Sequence, residues 1–333
     1  MLFRTILLVL ALAAAGLSAG TARADGLPVL GIDVGDSGVT TPQVRYVALS
    51  VRGDTLVAKV EREGGRVLDR NALRGRFTIP AVALDGSADG LSADGRTLVL
   101  IRPRVRFPRA ESAFAILGAE RLRVRERLTL RGDFSFDALS PDGSLLYLIE
   151  YLSPRDPTRY QVRVYDLDAG RLLPDPVVDP NESADEMRGY PLTRVTSPDG
   201  RWAYTLYDGN REHPFVHALD TTNRKAHCID LDALVGLDLA DVGLNLGAGG
   251  RTLTVLVGPE PIAVIDTSTF KVSEPGAAGL APAPTLSEPA NDGGPWPLIG
   301  TGGGLLLLGA AALALNLRRR RKLAPETPAP ARS

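Results

Sequence analysis

The feature that most limits how this chain can fold is a short element that returns along its middle. Leu91-Ser92-Ala93-Asp94-Gly95-Arg96-Thr97-Leu98-Val99-Leu100 is echoed by Leu139-Ser140-Pro141-Asp142-Gly143-Ser144-Leu145-Leu146-Tyr147-Leu148. It comes back as Thr196-Ser197-Pro198-Asp199-Gly200-Arg201-Trp202-Ala203-Tyr204. Weaker copies flank these at Leu49 to Val57 and Leu246 to Thr254. Asp-Gly between two apolar runs is a hairpin signal, because glycine accepts the positive φ of a tight turn. A proline just before presets the first dihedral of that turn. The marker glycines Gly53, Gly95, Gly143, Gly200 and Gly250 are separated by 42, 48, 57 and 50 residues.

Repeats of this length point to propellers or solenoids. Each hairpin is followed by another strand-like run and a second turn, as in Tyr160 to Tyr165 then Asp166 to Arg171, and Ile262 to Asp266 then Thr267 to Val272. No long segment carries the i, i+3, i+4 pattern of an amphipathic helix. Ser-Pro-Asp-Gly-x-x-x-Tyr with a Val-Ile-Asp-Thr-type strand resembles the WD40-like and YVTN-type β-propeller repeats, over about residues 40 to 275. The resemblance implies an all-β fold, a β-propeller of about five four-stranded blades. It implies nothing specific about activity, since propellers host enzymes, receptors and scaffolds. Val29 to Val34 is read as a strand that closes the ring against the last blade.

Both ends read as targeting segments. Arg4, the apolar run Thr5 to Leu17 and the small-residue site Ala22-Arg23-Ala24 form a signal peptide, with Asp25 as the mature N-terminus. Leu298 to Leu317 carries no charge and is followed by Arg318-Arg319-Arg320-Arg321-Lys322. Such a run spans about 30 Å as a helix, the thickness of a hydrocarbon core. The cations stay on the cytoplasmic side, and Trp296 suits the outer interface. The chain therefore divides into a signal peptide (1–24), a β-propeller ectodomain (25–275), a Pro/Ala/Gly-rich stalk (276–296), one C-terminal transmembrane helix (297–317) and a basic cytoplasmic tail (318–333). The tail also resembles a cell-wall sorting signal of Gram-positive bacteria, with Leu298-Ile299-Gly300-Thr301-Gly302 in place of Leu-Pro-x-Thr-Gly. Ile299 stands where that signal has proline, so the cell membrane is the expected location and the cell wall the alternative. Gly300 and Gly304 form a small-xxx-small pair through which two helices can approach as a homodimer.

Composition narrows function mainly by exclusion. A net charge of -1 gives no general pull toward nucleic acid. Cys228 is the only cysteine, so no intramolecular disulfide exists, and its strand-like setting suits a packed, unreactive thiol. Arginine greatly outnumbers lysine, which with abundant Ala, Gly and Pro fits a GC-rich bacterial genome.

Several constellations are candidates for chemistry. Gly35-Asp36-Ser37-Gly38 has the letters of a serine-protease loop, but too few mature residues precede Ser37 to supply the histidine and aspartate such a site needs. His213, His217 and His227 lie near one another in sequence, yet Pro214 and a strand pattern disfavour zinc spacing. The acidic run Asp175 to Glu186 lacks the ordered spacing of a calcium loop and reads as a solvated insertion. Arg121, Arg123, Arg125 and Arg127 alternate with apolar residues and make one strand face basic, with Arg102, Arg104, Arg106, Arg109 and Arg131 adding to it. That face is a candidate for an anionic cell-envelope polymer or an acidic protein, against the plain reading of a charged edge strand that blocks aggregation. The expectation is a surface binding or scaffolding module without metal or cofactor. An extracytoplasmic hydrolase or lyase, for example a carbohydrate-active one, and an envelope structural factor are the alternatives.

Overall fold

β-Branched and aromatic residues alternating with polar ones, broken by glycine turns, leave this chain little choice but short antiparallel strands. The computed structural model describes residues 38–182 and 187–276, and all elements below lie within them. The chain forms five successive sheets. Sheet 1 holds β1 (Val39–Thr40), β2 (Val44–Val51), β3 (Asp54–Glu61) and β4 (Val67–Leu73). Sheet 2 holds β5 (Thr97–Ile101), β6 (Glu111–Gly118) and β7 (Arg123–Arg131). Sheet 3 holds β8 (Phe134–Leu139), β9 (Leu145–Tyr151), β10 (Arg159–Asp166) and β11 (Arg171–Leu172), with β12 (Met187–Arg188) also pairing β10. Sheet 4 holds β13 (Pro191–Thr196), β14 (Trp202–Tyr207), β15 (Phe215–Asp220) and β16 (Lys225–Asp230). Sheet 5 holds β17 (Val242–Leu246), β18 (Thr252–Val257), β19 (Glu260–Asp266) and β20 (Val272–Ser273). Every sheet is an antiparallel meander in chain order, the form of a propeller blade.

Alternation along the strands buries both faces of the middle sheets. In β5, Leu98 and Leu100 pack toward sheet 1, while Val99 and Ile101 pack toward sheet 3. In β14, Ala203 and Tyr207 join sheet 3, while Tyr204 and Leu206 join sheet 5. Each sheet thus shares one apolar layer with the next, and among the described residues no such layer joins sheet 5 to sheet 1. The strand expected at Val29 to Val34 lies outside the described residues, as do the signal peptide, nearly all of the stalk, the helix at 297–317 and the tail. Among the described residues, no helix is long and apolar enough to cross a membrane.

The expected four strands per blade hold for sheets 1, 4 and 5 and are altered in sheets 2 and 3, the latter gaining β12 as a fifth strand. Sheet 2 has three regular strands, and its expected first strand is reduced to a bridge between Leu91 and Leu98. The reason is where the backbone donors of that segment go. Ala81 pairs Ala88 in a local reversal, and the Leu84 and Asp85 amides donate to the Pro191 and Leu192 carbonyls of sheet 4, at 2.9 and 3.1 Å. A segment bonded across the axis cannot also run as a full ladder strand beside β5.

The Gly143, Gly200 and Gly250 turns join the first two strands of sheets 3, 4 and 5, the Gly95 turn leads into β5, and the Gly53 turn joins β2 to β3; all five marker glycines have φ between +69° and +93°. In the three strong copies a serine and an aspartate finish the turn. Ser92, Ser140 and Ser197 donate to Asp94, Asp142 and Asp199 at 2.6, 2.6 and 2.5 Å. The same serine oxygens accept the amides of Thr97, Leu145 and Trp202, at 2.9, 2.9 and 2.8 Å. Three of these turns also meet one another. The Asp94 amide donates to the Pro141 carbonyl at 3.0 Å, a Cβ on Gly143 would lie 2.6 Å from Thr97 Oγ1, and one on Gly200 would lie 2.5 Å from Ala93 Cβ. Gly250 has φ +72° but open space around it. Gly250→Ala is therefore expected to lower stability by only about 1–2 kcal/mol, the strain of a left-handed L-residue. Gly143→Ala and Gly200→Ala add a backbone-level clash and should exceed that figure by at least about 1 kcal/mol in urea unfolding. Equal losses at all three positions would mean that the turns do not lock the sheets together.

Candidate functional site at the propeller axis

The inner edges of sheets 1 to 4 surround a cavity of about 510 Å³. Its wall is built largely from small and hydroxyl side chains, among them Thr40, Ser87, Ala88 and Thr196. Among the described residues, Asp89 and Arg194 are its only charged lining residues. Arg194 projects from β13 and donates both to the Asp137 carboxylate and to the Asp137 carbonyl of β8, while its Nε donates to Thr205 Oγ1 at 2.7 Å. Both partners are buried, with side chains 3% and 2% exposed. Burial works most strongly against the Arg194 cation, but Asp137, Tyr207 and Asp89 together offset it and hold the guanidinium above its ordinary pKa. Asp137 Oδ2 is buried and finds no partner among the described residues.

Asp89 lies beside this pair. Its Oδ1 accepts the Gly90 amide at 2.6 Å. Burial pushes the Asp89 carboxyl up, Arg194 and the Gly90 amide pull it down, and Asp137 adds to the rise. The axis therefore holds two acids and one cation, with the cation committed to Asp137.

None of these three residues was singled out from the sequence. A faint signal exists for Asp137, an acid within Phe134-Ser135-Phe136-Asp137-Ala138-Leu139, where every residue is buried. An ionised group in such a run must have a buried partner.

The basic strand is present but smaller than its arginine count suggests. Arg121 precedes β7, and Arg123, Arg125 and Arg127 lie on it, at the outer edge of sheet 2. Arg125 donates to Thr97 Oγ1 at 3.3 Å, and Arg127 to the Arg74 carbonyl at 3.2 Å while covering the Phe77 ring. Arg121 and Arg123 are exposed. Arg104 and Arg109 correct the expectation that they enlarge this face. Their side chains are 1% and 10% exposed, and both pair with the buried Asp133 carboxylate, at 2.6 and 3.1 Å. The loop between β5 and β6 folds over the start of β8, and Arg104 also lies 4.8 Å from the centre of the Tyr151 ring.

The histidines do not converge. His213 is exposed, His217 is buried in β15, and His227 packs 4.5 Å from the Phe270 ring. Among the described residues, no group of three His, Cys, Asp or Glu is placed to hold a metal. His217 faces Thr205 on one side and Cys228 on the other, so Arg194, Thr205, His217 and Cys228 form one row across sheet 4. Burial raises the Cys228 thiol to about 12, well away from a reactive thiolate. The acidic run is likewise not a free insertion. Val177 bridges to Val162, and Asp179 is 6% exposed and accepts the Cys228 amide at 2.8 Å. Ser37 and residues 183–186 lie outside the described residues.

No protein-family model and no curated protein matches the chain. Solved structures with a similar chain path include TolB from Acinetobacter baumannii, at a TM-score of 0.41 and 15% identity over 70% of this chain and 52% of that one. A prolyl endopeptidase gives 0.43 at 13% identity, over 79% of this chain and 40% of that one. The β-propeller domain of Cps50 (Swd1) from Myceliophteria thermophila gives 0.38 at 12% identity, over 74% and 70%. This chain spans about half the length of the TolB structure. At such scores the likeness concerns chain path alone, and the activities of those proteins are not carried over.

Two outcomes separate structural charges from surface ones. Asp133→Asn removes the carboxylate charge that two buried guanidinium groups share and is expected to lower stability by about 3–5 kcal/mol, whereas Arg123→Ala should stay within about 0.5 kcal/mol. Chemical denaturation of both variants checks this. The second outcome concerns His217, whose pKa burial lowers from 6.5 to about 4, with Asp137 and Asp179 favouring the proton and Arg194 and His227 opposing it. The unfolded chain binds a proton through that interval and the folded chain does not. The contribution is therefore complete above about pH 6.5 and drains as pH falls toward 4. His217→Gln is expected to flatten this acid limb in a series of melting curves, and an unchanged limb would assign it to other groups.

Proposed function

We propose that this chain is an exported single-pass membrane protein whose propeller acts outside the cytoplasm as a binding or scaffolding module. The observation that carries the binding role is the axial cavity. It is open to a ligand, lined by hydroxyl and small side chains, and its one cation is already held by Asp137. Such a lining suits recognition through neutral hydrogen bonds and shape. The export and anchoring part rests on the signal peptide, the apolar run Leu298 to Leu317 and the cations that follow. Arg121 and Arg123 on the outer edge offer a secondary contact for an anionic envelope polymer or an acidic protein.

One observation supports a second reading, a hydrolase or lyase on the same scaffold. Asp89 lines the cavity with a carboxyl raised by burial, the state a general acid needs. The two readings separate in one experiment on intact cells. A photoactivatable residue at Thr196 is expected to capture a discrete partner, and Ala88→Trp, which fills the cavity, to abolish capture. Small-molecule turnover lost in Asp89→Asn, with nothing captured, would overturn the binding role. Orientation is tested by cysteine labelling against the half-buried Cys228, whose thiol burial raises to about 12. An impermeant maleimide should modify Ser287→Cys on intact cells and Ser333→Cys only after lysis, and the reverse pattern would overturn the topology.

A further inference from the structure

A second cavity of about 440 Å³ lies between sheets 3 and 4, away from the axis. Its ionisable lining is lopsided. Asp179, Glu182, Glu212, Asp230 and Asp232 face Arg188 as the single permanent cation among the described lining residues. An acidic lining alone says little, because surface carboxylates are common and well solvated. The second observation is His217, which lines the same cavity and is 1% exposed. Both of its ring nitrogens are shielded from solvent and find no hydrogen-bond partner among the described residues. A buried imidazole with neither nitrogen satisfied is disfavoured unless something supplies the missing bond. Its ring packs in an edge-on arrangement with Tyr207, centroids 6.4 Å apart.

The remaining wall combines apolar side chains, Val177, Met187 and Phe215 among them, with polar Gln161, Asn210 and His213. Negative potential at the rim, an unmet imidazole inside and apolar side chains in the same wall define a ligand by chemistry. We infer that this cavity binds a primary alkylammonium group, with the carbon chain along Phe215 and Met187 and the ammonium shared between His217 and the carboxylates. An ammonium has three donors and no acceptor, so it can satisfy one imidazole lone pair and two carboxylate oxygens at once. A free diamine and a lysine side chain offer the same group. The site is independent of the axial cavity and does not require it to bind anything.

The test uses the full-length chain in detergent micelles at low salt, titrated calorimetrically with 1,5-diaminopentane and with N-acetyl-lysine amide. Saturable binding of either compound supports the assignment, and the pattern names the source. Binding of the diamine alone points to a small molecule, and binding of both to a lysine side chain. His217→Phe is expected to weaken binding about tenfold, the loss of one hydrogen bond to a charged group. Because a buried substitution can also disturb folding, the exposed pair Glu212→Gln and Asp230→Asn serves as a second probe, with an expected loss of about fivefold or more. Equal binding of 1,5-pentanediol, no saturation by either amine, or affinities unchanged in both variants would each overturn the inference. Saturation by zinc ions with no response to amines would overturn it in favour of a metal site.

Discussion

Each sheet of this protein turns through a glycine of positive φ, and sheets 2, 3 and 4 are set against one another at those reversals. The serine and aspartate of the turn make the contact feasible. With the aspartate accepting the serine hydroxyl, and the serine oxygen accepting the following strand's first amide, the turn needs little water to complete its hydrogen bonds. A self-satisfied turn can be pressed against another sheet, as Gly143 is against Thr97 and Gly200 against Ala93. The turns at Gly53 and Gly250 stand in open space and lack the serine–aspartate pair, whereas Gly95 keeps that pair with equally open space at its own Cβ position.

Convergence of three turns has a consequence at the axis. Sheets 2, 3 and 4 approach so closely that an ordinary inner strand of sheet 2 gives way to a reversal that hydrogen-bonds to sheet 4. Closing the axis at this point buries Asp137, and a carboxylate in that position is stable only with a cation beside it. Arg194 supplies the cation from β13, and it is itself held by Thr205. The cavity above inherits a neutralised floor, which leaves Asp89 as the one acid there without a dedicated cation.

The hairpins and the all-β architecture were legible in the sequence because both are local. Asp-Gly between apolar runs dictates a turn whatever surrounds it, and alternating residues dictate a strand. The arginines show where such reasoning stops. Arg104 and Arg123 look alike in the sequence, in the same basic stretch, yet one is locked to Asp133 and the other faces solvent. Which is which depends on the loop between β5 and β6 lying over β8, a contact set by tertiary packing. Asp179 gives the same lesson. Its run of acids and prolines reads as solvated, but its carboxylate completes the free edge of β16 at the Cys228 amide. Asp89 and Arg194 carried no local signal at all, since each becomes meaningful only when sheets far apart in the chain meet.

Sheet 4 joins the two cavities through side chains that share one face. The row Arg194, Thr205, His217 and Cys228 runs from the inner strand to the outer one, one residue per strand. At the inner end the charge is compensated by Asp137, and the His217 ring beyond it still senses both members of that pair, burial being the larger influence. Protonating His217 would place a second cation behind Arg194 in a buried layer, so the imidazole stays neutral and keeps a lone pair for whatever enters the outer cavity. The same buried pair that closes the axis therefore helps fix the hydrogen-bonding character of a site two strands away.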